Sequence, residues 1–117
     1  MRKTISTEAL SALRKGREGF VLVDVHDRLQ FAKDHIPGAC NVPLGEEHFA
    51  QGVAAKASGG KMRKVVVYCA GPACDAASKA ATILVENGFT NVIEYAGGLA
   101  AWNETRQARS VANKAAR

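Results

Sequence analysis

A single α/β domain with a mostly parallel central sheet, flanked by helices on both faces, is what this sequence predicts, on three observations. Phe20-Val21-Leu22-Val23-Asp24-Val25 and Val65-Val66-Val67-Tyr68 are apolar on both alternating faces, the pattern of strands covered on each side. Segments of helical period alternate with such runs, and that alternation favours crossover connections and parallel pairing. The length of 117 residues, 47% of them hydrophobic, supplies one core and excludes a two-lobed protein or a repeat array.

Each element has its own signal. Ser6 caps a helix through about Lys15, with Leu10 and Leu13 on one face and Gly16 expected in the left-handed C-terminal position. The Phe20–Val25 strand follows, then a short helix over Arg28–Lys33 and a turn at Ile36-Pro37-Gly38. Cys40-Asn41-Val42-Pro43 can form only a short strand, because proline stops it. Glu46 to Lys56 reads as helical, and Ser58-Gly59-Gly60-Lys61 as the most flexible loop. The Val65–Tyr68 strand runs straight into Cys69. From Asp75, a polar stripe of Asp75, Lys79, Thr82 and Glu86 opposes a packed side of Ala76, Ala77, Ala80, Ala81, Ile83, Leu84 and Val85, and Gly88 closes the helix. Val92–Tyr95 is a third strand, Gly97-Gly98 a tight turn, and Leu99 begins a last helix that fades into a basic tail.

The formal charge of +5 is peripheral. Residues 1–17 carry five basic and one acidic side chain, residues 103–117 four and one, and the stretch between them is slightly acidic. A nucleic-acid partner is not expected, since phosphate binding needs a concentrated basic face. The apolar runs are strand-sized, so no membrane span is expected, and no export signal is visible. Three cysteines without a signal suit a reducing, cytoplasmic setting.

Ligands of an open parallel sheet bind beyond the carboxyl ends of its strands, where Cys69 lies between a strand and the helix from Asp75. A thiol there meets the positive end of the helix dipole and unpaired amides, which favour the reactive thiolate. Ala70, Gly71, Pro72, Ala73 and Cys74 bring no long side chain, so their backbone can form a cup around whatever the sulfur carries. Against this stands the reading of Cys69 as a buried packing thiol.

Four segments in order resemble the rhodanese-like sulfurtransferase family: Val23-Asp24-Val25-His26, Asp34-His35-Ile36-Pro37-Gly38-Ala39, Tyr68-Cys69, and Gly97-Gly98-Leu99 with Trp102. The resemblance spans roughly residues 5–103, the core of a single rhodanese-like domain over 1–117, with 104–117 a basic C-terminal helix or tail. It implies a sulfurtransferase in which Cys69 takes a sulfane sulfur, holds it as a persulfide against a substrate-binding loop of Ala70, Gly71, Pro72, Ala73 and Cys74, and passes it to a nucleophilic acceptor. The implied partners are a small-molecule or protein sulfur donor and a thiol acceptor, with the chain a monomer or weak homodimer and no cofactor. The contrasting readings are a non-enzymatic rhodanese-like module that binds protein through its pocket face, and a thiol-redox protein using Cys69 and Cys74. Retention of the nucleophile argues against the first; Cys74 keeps the second open.

The loop has no cation, and His26 stands where arginine is common in the family, so thiosulfate, a dianion, is expected to be a poor donor. With Cys74 the loop resembles a Cys-x-Gly-Pro-x-Cys subgroup of single-domain members, and Cys74 has two readings, a resolving thiol for Cys69 or a small residue at a helix start. His26 has two as well, a pocket residue or a surface one. Tyrosine phosphatase or arsenate reductase activity is not expected, because Asp75, a carboxylate, stands at the sixth position after Cys69, where a phosphate-binding loop needs arginine. Asp24 is expected to be a hydrogen-bonded structural carboxylate, His35 to order the Ile36–Gly38 turn, Cys40 to pack as a small apolar residue and Trp102 to anchor the last helix. No Cys-x-x-Cys or close histidine pair signals a metal, and Gly97-Gly98 reads as a close backbone approach.

Overall fold

The computed structural model describes residues 3–16, 19–57 and 60–115, with side chains through 106. In chain order the elements are β1 (Lys3–Thr4), α1 (Thr7–Lys15), β2 (Phe20–Asp24), α2 (Arg28–Lys33), β3 (Cys40–Asn41), α3 (Phe49–Lys56), β4 (Lys64–Tyr68), α4 (Ala76–Glu86), β5 (Val92–Glu94) and α5 (Gly98–Ala115). The five strands form one sheet in the order β1-β5-β4-β2-β3, and every pairing is parallel.

Strand alternation divides the core into two layers. Val21, Val23 and Val25 of the β2 segment and Val65, Val67 and Cys69 of the β4 segment pack with Phe49 and Val53 of α3 and Ala77, Ala80, Ala81 and Leu84 of α4. Leu22, Val66, Tyr68, Ile93 and Tyr95 pack on the other face with Leu10 of α1, Ile36 and Trp102 of α5. Both faces of the sheet are therefore covered, which is why Phe20–Val23 of β2 and Val65–Val67 of β4 are apolar on both alternating faces. Trp102 anchors α5 as expected, and the Arg14 guanidinium lies 4.9 Å from its ring centroid.

Strand order places the functional end. From β2 the chain moves outward to β3; from β4 it moves the opposite way to β5. The crevice between these divergent crossovers lies beyond the carboxyl ends of β2 and β4, in register at Asp24 and Tyr68. Cys69 follows one of these residues directly and His26 lies two residues after the other.

Several local expectations change. Gly16 is extended (φ −77°, ψ 176°), since donating its N–H to the Ala12 and Leu13 carbonyls ends α1 without a left-handed residue. β1 was not anticipated, because a two-residue polar strand has no periodicity; it exists through its pairing with β5. α3 starts at Phe49 rather than Glu46: His48 takes a left-handed backbone (φ 61°), and Glu46 instead makes a two-pronged exposed contact with Arg28 at 2.9 and 3.0 Å. Gly88 (φ 91°) closes α4 as expected. The basic C-terminal segment is helical to Ala115. Ser58 and Gly59 of the expected flexible loop lie outside the described residues.

Candidate active site

β4 delivers Cys69 to the crevice at 4% exposure, with its side chain on the α3/α4 side of the sheet. The loop Ala70–Ala73 then turns over it, and Cys74, half-buried, is joined to Cys69 by a disulfide with a Cα separation of 6.5 Å. Of the loop amides, Cys74 donates to the Gly71 carbonyl at 3.0 Å and Pro72 has none to offer. The amides of Ala70, Gly71 and Ala73 make no hydrogen bond among the described residues.

The far side of the loop is held by the start of α5. Leu99 N–H donates to the Cys69 carbonyl at 2.9 Å and Ala100 N–H to the Ala70 carbonyl at 2.8 Å. These are first-turn donors that no residue of their own helix can satisfy, so the loop uses them. The approach is possible only because Gly98 lacks a side chain: a Cβ there would stand 2.6 Å from the Cys69 carbonyl oxygen and 2.8 Å from the Gly71 nitrogen. Gly97-Gly98 is thus the close backbone contact expected from the sequence, with Gly98 at φ 62°.

On the β2 side, Asp24 is completely buried and structural. Its Oδ1 accepts the His26 backbone N–H at 2.9 Å and lies 2.8 Å from His26 Nδ1, an ion-pair contact whenever the ring is protonated. Asn41 Nδ2 donates to the carbonyls of Asp24 (3.1 Å) and His26 (2.9 Å), tying β3 to the same turn. Beside Asp24, burial above all pushes the Tyr68 phenol up, and the carboxylate adds to the shift. Tyr68 stays neutral and accepts the Ile36 N–H at 3.0 Å, pinning the Ile36–Gly38 turn to the sheet. His35, assigned to that turn from the sequence, instead contacts the Phe31 carbonyl through Nδ1 at 2.8 Å and stacks on the Phe31 ring. It closes the end of α2, one residue before the turn.

Two depressions flank the loop. One of about 440 Å³ is bounded by Ala70, Gly71, Pro72, Ala73, Cys74 and Ala100 and is chiefly apolar. The other, about 270 Å³, shares Ala70 and Ala100 and adds His26, Gln30, Lys33, Asp34, Leu99 and Asn103. The structure thus places His26 in a groove against the loop, and Asn103 bridges to Asp34 at 2.8 Å across it. Lys33 was missed in the sequence: a lysine at the end of a short exposed helix carries no local signal, and it is the fold, with Asp34 bonded to Asn103 of α5, that brings Lys33 to the groove beside the loop. Asp75 does not cap α4; it pairs with Lys79 at 3.4 Å on the exposed surface, so Lys79 brings no free charge to the loop. Cys40 sits in β3, two strands from β4, and burial raises its thiol pKa, which favours the protonated form. No group of three or more His, Cys, Asp or Glu side chains comes together as a metal site among the described residues, and no helix among them is long and apolar enough to cross a membrane.

A parallel α/β domain that presents a cysteine beneath a cup of small residues, at the point where its crossovers diverge, defines a class of thiol-bearing group-transfer domains. The Rhodanese-like domain model matches residues 6–105, and the chain belongs to the rhodanese-like sulfurtransferase family. Over 103 residues it is 35% identical to a Pseudomonas savastanoi pv. phaseolicola protein named thiosulfate sulfurtransferase GlpE, covering 88% of this chain and 89% of that one. Among solved structures it is similar to BH2092 from Bacillus halodurans, with a TM-score of 0.77 and 31% identity over 89% of this chain and 73% of that one. It is also similar to the human single-domain sulfurtransferase TSTD1, with a TM-score of 0.67 and 29% identity over 86% of this chain and 95% of that one.

Proposed function

We propose that Cys69, in its reduced form, carries sulfane sulfur between a donor and a thiol acceptor. The Cys69 thiolate attacks the outer sulfur of the donor, whose leaving group departs with the bonding electron pair, as sulfite does from thiosulfate. The resulting Cys69 persulfide is attacked at its outer sulfur by an acceptor thiolate, and Cys69 leaves as thiolate. The observation that carries this reading is the position of Cys69 beneath a loop whose Ala70, Gly71 and Ala73 amides have no partner among the described residues, since such donors favour the charge of a bound persulfide. The disulfide occupies the sulfur that must react, so the protein requires reduction before it turns over. The test is intact mass of the reduced protein after exposure to thiosulfate or to an alkanethiosulfonate, a singly charged donor that releases sulfinate. A gain of one sulfur atom, mapped to Cys69, is expected in the wild type or, where Cys74 discharges it too fast to be seen, in Cys74→Ser; sulfur transfer with no such adduct in either protein overturns the reading.

The donor is a matter of charge. With no cation in the loop, thiosulfate should be poor, and Lys33 in the adjoining groove is the cation we assign to what turnover remains. Lys33→Met should lower kcat/KM for thiosulfate about three- to tenfold, an effect that high salt flattens because the ammonium is exposed. The alkanethiosulfonate should be affected less. Equal losses for both donors would place Lys33 outside donor recognition.

A further inference from the structure

We propose that Cys74 is an internal acceptor, so that a loaded protein which meets no external thiol releases hydrosulfide and closes the Cys69–Cys74 disulfide. This rests on the persulfide reading above and adds a second outcome for the carried sulfur. In a Cys69 persulfide, the inner sulfur is Cys69 Sγ, the atom to which Cys74 Sγ is bonded in the structure. The Cys74 thiolate attacks that inner sulfur, the bond to the outer sulfur breaks, and hydrosulfide leaves with the electron pair. Two cysteine thiols become one disulfide as the sulfane sulfur is reduced to sulfide, and no outside oxidant is needed. A thiol or dithiol reductant then reopens the loop for another cycle.

The framework holds both ends of this reaction in place. Leu99 and Ala100 fix the carbonyls of Cys69 and Ala70, while the Cys74 amide is anchored to the Gly71 carbonyl. The Cα separation of 6.5 Å falls within the range that disulfides span without backbone movement. An attacking group held this way has an effective concentration well above that of a dissolved thiol. Cys40 cannot compete from β3, two strands away.

The experiment uses the full chain, reduced, desalted without oxygen and loaded with the alkanethiosulfonate, which contains neither sulfide nor thiol. After the donor is removed, wild type should lose the added sulfur, release one sulfide per loaded chain and end two hydrogens lighter than the reduced protein, with peptide mapping joining Cys69 to Cys74. Cys74→Ser should hold the adduct at least about tenfold longer, and Cys40→Ser should behave as wild type. Sulfide release and loop closure too fast for the wild-type adduct to be seen, with the adduct visible in Cys74→Ser, equally supports the proposal. An adduct on Cys69 that persists in wild type, that moves to Cys74 without sulfide release, or that is lost without the disulfide overturns it while leaving the persulfide reading intact. Absence of any adduct, sulfide or disulfide in wild type, with no adduct in Cys74→Ser, removes the persulfide reading and this one with it.

Discussion

Cys69→Ser is expected to lower sulfur transfer by at least about a thousandfold while leaving the domain folded. The serine hydroxyl occupies nearly the volume of the thiol it replaces, at a site buried against Val67 and the α4 alanines, so no cavity opens. As a nucleophile it fails, because at neutral pH it is un-ionised and, among the described residues, no histidine or carboxylate lines the loop depression. His26, which lines the adjoining groove, holds its Nδ1 2.8 Å from the Asp24 carboxylate. The comparison belongs under reducing conditions, where wild type also lacks the disulfide; there, unfolding free energies should agree within about 1 kcal/mol. Cys40→Ser should retain turnover, since Cys40 lies apart from the loop. Transfer by Cys69→Ser at a rate near wild type would move the chemistry to another residue.

Gly98→Ala should damage both stability and activity, because two independent penalties fall on one atom. A side chain at φ 62° is strained by about 1–2 kcal/mol wherever it sits. Here the new Cβ would also lie 2.6 Å from the Cys69 carbonyl oxygen, 2.8 Å from the Gly71 nitrogen and 2.9 Å from the Ala70 carbonyl carbon, all backbone atoms that no rotamer change can move. Relief requires α5 and the loop to separate, which breaks the Leu99 and Ala100 hydrogen bonds to it. A total near 3 kcal/mol, or a fall in Tm of roughly 10 °C or more, is expected, with a large loss of turnover. Gly38→Ala is the control: its φ is 90°, but nothing lies within 4 Å of the added Cβ. It should show the conformational penalty, about 1 kcal/mol, with turnover retained. Equal effects of the two substitutions would mean that α5 does not brace the loop.

The elements legible in the sequence were those whose signal is local. The runs over β2 and β4 are apolar on both faces because both faces are covered, and the α4 stripe of alanines is the face that packs on the sheet. Of the four motifs, the end of β4 and the Gly97-Gly98 contact meet at the loop, the turn after β2 brings His26 to the adjoining groove, and the Ile36–Gly38 turn is tied to the sheet by Tyr68. Less legible were features whose cause lies elsewhere in the chain. β1 has no pattern apart from its partner β5, and Glu46 left the expected helix for a contact with Arg28, eighteen positions away in sequence.

By itself the sequence determined the α/β architecture, the position of Cys69 at the end of a central strand and the absence of any cation from its loop, since periodicity, chain order and side-chain charge are properties of neighbouring residues. Only the tertiary structure decided that Cys74 meets Cys69 and that His26 and Lys33 line a groove beside the loop. Those facts depend on how crossovers diverge from β2 and β4 and on how closely α5 approaches the loop at Gly98, distances set by packing between segments far apart in the chain.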